Sequence, residues 1–155
     1  MIHSMDFVIR PLTPADEPIL WEMLYQGLQR TAGEQAPSPD IVRQPPFARY
    51  VESWGRPGDA GFVARDARDH ETLGAVWFRA PTGDAVPELA FAVQAGHRKR
   101  GIGVALLTQW VRANPEQSEI LLSVGPDSPA VRLYDRFGFR IVAQTDRTVT
   151  MRREA

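Results

Sequence analysis

Cysteine is absent from the 155-residue chain. That excludes disulfides, thiolate nucleophiles, Cys-ligated zinc and iron–sulfur clusters. It fits a reducing compartment, although a cysteine-free chain suits any compartment. An excess of one charge is missing as well: 18 Lys and Arg against 19 Asp and Glu leave a net charge of −1. Non-specific nucleic-acid binding draws on a basic excess that releases counterions from phosphates, so no nucleic-acid partner is expected. No apolar run approaches the roughly 20 residues that span a bilayer, and Met1 to Arg10 lacks the basic flank and long apolar stretch of a secretion signal. A cytoplasmic protein without membrane contact is therefore expected. His3, His70 and His97 stand apart from one another and from any carboxylate cluster, so no metal site is expected.

What is present is ordinary for a folded chain: 43% hydrophobic and 24% charged residues, which excludes global disorder. The length suits one domain over 1–155. Phe7 to Leu12 reads as a short strand, and Ile19, Leu20, Met23, Leu24 and Leu28 recur at the spacing of one helix face beginning near Asp16. Residues 31–46 carry Pro37, Pro39, Pro45 and Pro46 and read as a loop; Phe47, Tyr50, Val51 and Trp54 then repeat at helical spacing up to Gly55. Two strands, 60–66 and 73–79, form a hairpin through Arg68 to Glu71, and a loop over 81–87 precedes the apolar strand 88–93. The strongest helix runs from Gly101 to Ala113. A strand at 120–124, a turn at 125–129, a helix carrying Ala130, Leu133, Tyr134 and Phe137, and closing strands at 139–143 and 148–152 complete the chain. The order βααβββαβαββ means helices packed on a mixed sheet.

The chemistry concentrates between Val93 and Leu106. An apolar strand passes through a basic loop, Arg98-Lys99-Arg100, into a helix start at Gly101-Ile102-Gly103. Glycines there let backbone N–H groups approach a ligand closely. The helix dipole and three full charges then favour a phosphate or pyrophosphate. A dinucleotide fingerprint fails because Leu106 stands where a third glycine is needed, and no Gly-x-x-x-x-Gly-Lys-Ser/Thr loop is present. A basic helix start that merely solvates is the bland alternative.

Arg98-x-x-Gly101-x-Gly103 after an apolar strand resembles motif A of the GCN5-related N-acetyltransferases, the GNAT family. Ser123-Val124, followed after five residues by Ala130-Val131-Arg132-Leu133-Tyr134-Asp135-Arg136-Phe137-Gly138-Phe139, resembles that family's motif B. The resemblance covers residues 88–143, with the usual Asn of motif B replaced by Asp127. It implies an α/β (mixed α+β) fold: a mixed, mostly antiparallel twisted sheet of about seven strands flanked by about four helices. It implies acetyl-CoA as cosubstrate, with no metal, lying where strand 88–94 splays from strand 120–124. The pyrophosphate would rest on the N–H groups of Arg98, Lys99, Arg100, Gly101, Ile102, Gly103, Val104 and Ala105, and the pantetheine would pair with the backbone of Phe91, Ala92 and Val93. An N–H near Val93 would polarise the thioester carbonyl.

By the same resemblance, Tyr134 matches a tyrosine that protonates the leaving thiolate or hydrogen-bonds its sulfur; otherwise it is a core aromatic beside Leu133 and Phe137. Glu88 stands where several members place a general base, or else is a surface carboxylate at a strand end. The implied reaction moves an acetyl group to a primary amine of a small molecule or peptide by direct attack; the alternative is a non-catalytic acyl-CoA-binding module. Acceptor contacts would come from the first two helices and their loops, which carry Trp21, Glu22, Tyr25, Tyr50, Trp54, Asp59 and Arg79. The closing strands are candidates for pairing across a homodimer, and equally for edges guarded by Arg152 and Arg153.

Overall fold

Phe7 and Ile9 alternate with exposed Val8, so one face of the first strand turns to the core. This strand, β1 (Phe7–Pro11), runs antiparallel to β2 (Ala60–Asp66), from Phe7↔Asp66 to Pro11↔Phe62. The computed structural model describes residues 7–27, 38–79, 88–94, 101–114, 119–124, 130–146 and 149–154. The expected hairpin is present: β2 returns as β3 (Thr72–Phe78), with Asp66 Oδ1 accepting the N–H groups of Arg68 at 2.8 Å and Asp69 at 3.1 Å to shape the turn. β3 then pairs antiparallel with β4 (Leu89–Val93). β3 has no polar alternation because both of its faces are covered. Ala75 and Trp77 join one hydrophobic cluster; Val76 and Phe78 join the other.

The first cluster packs β3 and β4 against α1 (Glu17–Gly27) through Leu20, Met23, Leu24 and the indoles of Trp21, Trp54 and Trp77. The second lies on the opposite face beneath α3 (Ile102–Ala113) and α4 (Ala130–Arg136). There Leu106 and Trp110 meet Phe78, Leu89, Tyr134 and Phe139. Trp110 is fully buried, packs edge-on to Phe78 with centroids 5.8 Å apart, and its Nε1 has no hydrogen-bond partner among the described residues.

A second sheet holds β5 (Glu119–Val124), β7 (Val149–Glu154) and β6 (Arg140–Gln144), all antiparallel, in the order β5-β7-β6. Among the described residues seven strands are present, divided four and three. An isolated parallel bridge, Glu88↔Leu121, links the two sheets. The mixed α/β class expected from sequence is the class observed.

Three local differences from the sequence expectation are present. The expected second helix is a single turn, α2 (Pro45–Ala48), followed by turns through Trp54. Past Ala48 the chain turns, with Ser53 at φ +59° and Gly55 at φ +109°, both outside the right-handed helical region, and the Arg79 guanidinium donates to the carbonyls of Arg49, Glu52 and Ser53. Within the expected proline-rich loop, Pro39–Arg43 forms a 3₁₀ turn. The helix expected from Asp16 is preceded by a 3₁₀ turn over Pro14–Asp16, and α1 proper starts at Glu17. Leu28, residues 31–37, the 81–87 loop, the turn at 125–129 with Asp127, His3 and His97 lie outside the described residues.

Asp16 secures this entry to α1. Its buried carboxylate accepts two 2.8 Å bonds from Arg10, one at 2.7 Å from the Thr13 N–H and one at 3.2 Å from the Thr13 hydroxyl. The Arg10 hydrogen bonds hold its pKa down at about 2; burial opposes them, and the Thr13 N–H reinforces them. The unfolded carboxyl titrates near ~3.9, so this stabilisation is complete above that pH and is lost as pH falls through about 2. Asp16→Asn should therefore cost about 2 kcal/mol at neutral pH, with the gap to wild type closing in acid. Denaturant unfolding at pH 7 and below pH 3 checks both halves of that expectation.

Candidate active site

Beyond Glu88↔Leu121 the strands β4 and β5 part, because β4 keeps its register with β3 while β5 pairs with β7. β4 is thus the edge of its sheet, and its outer side opens toward the gap. Phe91, Ala92 and Val93 lie on this stretch, with Ala92 buried and its neighbours half-buried. The cosubstrate cleft expected between these two strands has the backbone divergence it requires.

The first turn of α3 closes one wall of the gap. Gly101 sits in the left-handed region at φ +80°, with no atom of the described residues within 4 Å of where a side chain would begin. Gly103 is close-packed instead: a Cβ there would stand 3.0 Å from Phe91 Cζ and 3.3 Å from Leu133 Cδ2. The first intrahelical bond is donated by Ala105 to the Gly101 carbonyl at 3.0 Å. The N–H groups of Ile102, Gly103 and Val104 precede it and have no helical acceptor, whereas that of Ala105 is already engaged. The backbone that remains available suits a pyrophosphate. Arg98, Lys99 and Arg100 lie outside the described residues.

Tyr134, on α4, stands behind this wall. Its ring packs edge-on to Phe91 at 5.7 Å and tilted to Phe139 at 5.6 Å. Burial pushes the hydroxyl well above the ordinary tyrosine range, so it remains protonated at any working pH. Phe91, Gly103, Leu133 and Tyr134 therefore form one contact group from three elements that the sequence reading brought together only by motif order.

Glu88, at the head of β4, is half-buried and has partners that were not expected. Arg49 Nη1 donates to Oε1 at 3.1 Å, and the Tyr50 hydroxyl donates to Oε2. Arg49 Nη2 in turn donates to the Tyr50 oxygen at 2.9 Å, its guanidinium 4.3 Å from the Tyr50 ring centroid. Burial, then the adjacent Glu88 carboxylate, push the Tyr50 hydroxyl well above its ordinary value. Arg49 carried no signal in the sequence: it lies outside the family motifs, and its partner Glu88 is 39 positions away.

Of the candidate acceptor residues, Tyr50 bonds Glu88 directly. Asp59 and Arg79 form a buried ion pair, with Nη2 to Oδ2 at 2.9 Å, Nε to Oδ1 at 3.2 Å and side-chain exposures of 2% and 9%. Asp59 also accepts the N–H groups of Gly55 and Arg56, each at 3.0 Å. Trp54 donates to the Thr13 carbonyl at 3.0 Å, and Trp21 lies under Arg43, 3.9 Å from its guanidinium. Glu22 accepts from Gln26 on exposed surface. No group of three or more potential metal ligands occurs among the described residues, nor does any helix among them have the length and apolarity to cross a membrane.

Residues 57–141 match the family model described as an acetyltransferase (GNAT) domain. The fold is similar to a GCN5-related N-acetyltransferase from Kribbella flavida, with 22% identity, TM-score 0.67 and coverage of 99% of this chain and 100% of that one. It is similar to the PaiA N-acetyltransferase from Thermoplasma acidophilum in complex with coenzyme A, with 16% identity, TM-score 0.68 and coverage of 96% and 99%. A third similar structure is a spermidine N-acetyltransferase chimera from Vibrio cholerae SpeG and hSSAT, with 18% identity, TM-score 0.63 and coverage of 96% and 95%. No curated protein is a match in sequence. The chain belongs to the GNAT acetyltransferase family, and its activity is acetyl-CoA-dependent acyl transfer.

Breaking the Asp59–Arg79 pair separates scaffold from chemistry. Asp59→Ala leaves a buried guanidinium without its carboxylate and frees the 55–59 turn, which should cost about 3 kcal/mol. Thermal unfolding reads this loss, and an unchanged midpoint would contradict the structural role.

Proposed function

We propose that the chain acetylates a primary amine of a small molecule or peptide by direct attack within a ternary complex, acting as one domain over 1–155. The observation that carries this reading is the parting of β4 from β5 directly beside Glu88, with the first turn of α3, whose N–H groups have no acceptor among the described residues, and the buried Tyr134 grouped around Phe91. A neighbour of similar fold is named for acetylating spermidine, which agrees with an amine acceptor.

Bound acetyl-CoA supplies an activated acyl carbon. The amides from Arg98 through Gly101 to Val104 hold the pyrophosphate, Ala105 following them with its N–H already on the Gly101 carbonyl. The backbone of Phe91 to Val93 orients the pantetheine, and an N–H near Val93 steadies the charge that develops on the carbonyl oxygen. An alkylammonium has a pKa near ~10 and is not nucleophilic until it loses a proton; Glu88 receives that proton, directly or through water. Tyr134 keeps its own proton at the ordinary pH of the reaction and offers it, or a hydrogen bond, to the departing sulfur.

The location expected from sequence, the cytoplasm, is part of the same reading. So is a homodimer through the β6 edge. There a bulge between Ile141 and Ala143 leaves Ile141 and Val142 51% and 53% exposed, and a second copy would cover both. Sedimentation should show a dimer that Ile141→Lys dissociates; a monomeric wild type would overturn this part.

The test of the activity has two readouts. Acetyl-CoA at about 100 times its Kd should add roughly 2.7 kcal/mol to stability, several degrees in Tm. Tyr134→Phe should keep that shift while lowering turnover about tenfold or more. Turnover is followed as free thiol released with a panel of amines, and in a chain without cysteine every thiol belongs to coenzyme A. Full turnover in the Phe variant would remove Tyr134 from the mechanism. A thermal shift with no thiol release from any amine would favour a non-catalytic acyl-CoA-binding module.

A further inference from the structure

A carboxylate and an aromatic face, set side by side, make a receptor for an organic cation. Glu88 and Tyr50 are such a pair at the mouth of the gap between β4 and β5, and the cation they hold is Arg49 of the same chain. We propose that Arg49 fills, in the free protein, the subsite that the acceptor's ammonium group enters during turnover, and that the acceptor must displace it. This rests on the reading of Glu88 as the carboxylate on the acceptor side.

Three observations support displacement rather than a permanent brace. Arg49 is held at its head by groups that would equally hold an ammonium: Glu88 Oε1 at 3.1 Å, the Tyr50 hydroxyl oxygen at 2.9 Å and the Tyr50 ring at 4.3 Å. Its side chain is 56% exposed against 21% for Glu88, so water already competes for the guanidinium, and ion pairs of this kind contribute little to stability. The backbone beneath it is pinned from the buried side. The Arg49 carbonyl accepts from Arg79 at 3.4 Å and the Tyr50 carbonyl from Trp77 Nε1 at 2.9 Å. Arg49 can therefore swing away by changing rotamer while Tyr50 and Glu88 keep their places.

The receptor defines the class of acceptor: an alkylammonium whose charge is not compensated by an adjacent carboxylate, because Glu88 would repel the latter. It also explains why a carboxylate intended to take a proton is paired with an arginine when no acceptor is present. Arg49 keeps the half-buried Glu88 charge partnered until an ammonium replaces it.

Calorimetric titration of the full chain with n-butylammonium at neutral pH tests this without requiring turnover. Arg49→Met keeps an unbranched stem beside the Tyr50 ring and removes the charge. It should bind n-butylammonium about two- to fivefold more tightly than wild type, the range set by an exposed ion pair. Adding Glu88→Gln to Arg49→Met should abolish the gain. Equal or weaker binding by Arg49→Met, or no binding to either protein, would overturn the proposal. Retention of the acetyl-CoA thermal shift shows that each variant is folded. The role of Glu88 as base is judged separately: Glu88→Gln with undiminished thiol release would refute that role while leaving a measured gain in cation binding in place.

Discussion

Everything distinctive about this fold depends on a sheet that is interrupted. Had β5 continued to pair with β4 beyond Leu121, the chain would hold one seven-stranded sheet and no cleft. Instead each strand is committed elsewhere, β4 to β3 and β5 to β7, and the hydrophobic cluster under α3 and α4 holds both sheets together across the divergence. The packing of Leu89, Ile120, Leu122 and Tyr134 into that one cluster takes over the role of the missing ladder bonds. Polar backbone on a sheet edge beside an apolar core needs a partner, and an extended amide-bearing arm is a chemically matched one.

A second constraint fixes the acceptor side. Arg79 leaves the end of β3 and engages Asp59 together with the carbonyls of Arg49, Glu52 and Ser53. A guanidinium can do this because its donors lie in a rigid planar fork, which a lysine lacks. The result is a segment, 49–59, without regular secondary structure yet tied down from beneath, with Tyr50 set against Glu88 from across 38 positions of sequence. The buried ion pair and the exposed one thus have opposite characters: the first is rigid and structural, the second is arranged around a movable cation.

Legibility from sequence followed the range of the interactions. The strands β2 and β3, the helix α3 with its two glycines, and the order of the last four elements are set by local periodicity and turn residues, and they lie where expected. Family membership was legible for the same reason, since Arg98 to Gly103 and Ala130 to Phe139 are contiguous motifs. What was not legible depends on residues far apart in the chain. Arg49 and Glu88 meet across 39 positions, and the Arg49 carbonyl is held by Arg79, 30 positions on. Helical spacing at Phe47, Tyr50, Val51 and Trp54 suggested a longer helix; those side chains do turn to one hydrophobic cluster, but from turns and not from helix. Asp59 and Arg79, which the family resemblance placed among the acceptor-side segments, form an ion pair with one another in the interior, a pairing across 20 positions that no local pattern announces.

The distribution of indoles makes the molecule a two-channel optical reporter. Of its four tryptophans, Trp21, Trp54 and Trp77 crowd the side of the sheet that carries α1, and each donates its N–H to an oxygen. Trp110 stands alone on the other side, in an apolar setting with its N–H unmatched among the described residues. Its excited state is therefore weakly relaxed by polar neighbours, and its emission belongs at the blue edge of the protein's spectrum. Light collected there follows the half of the molecule that holds α3 and α4, and redder light follows the half that holds Tyr50.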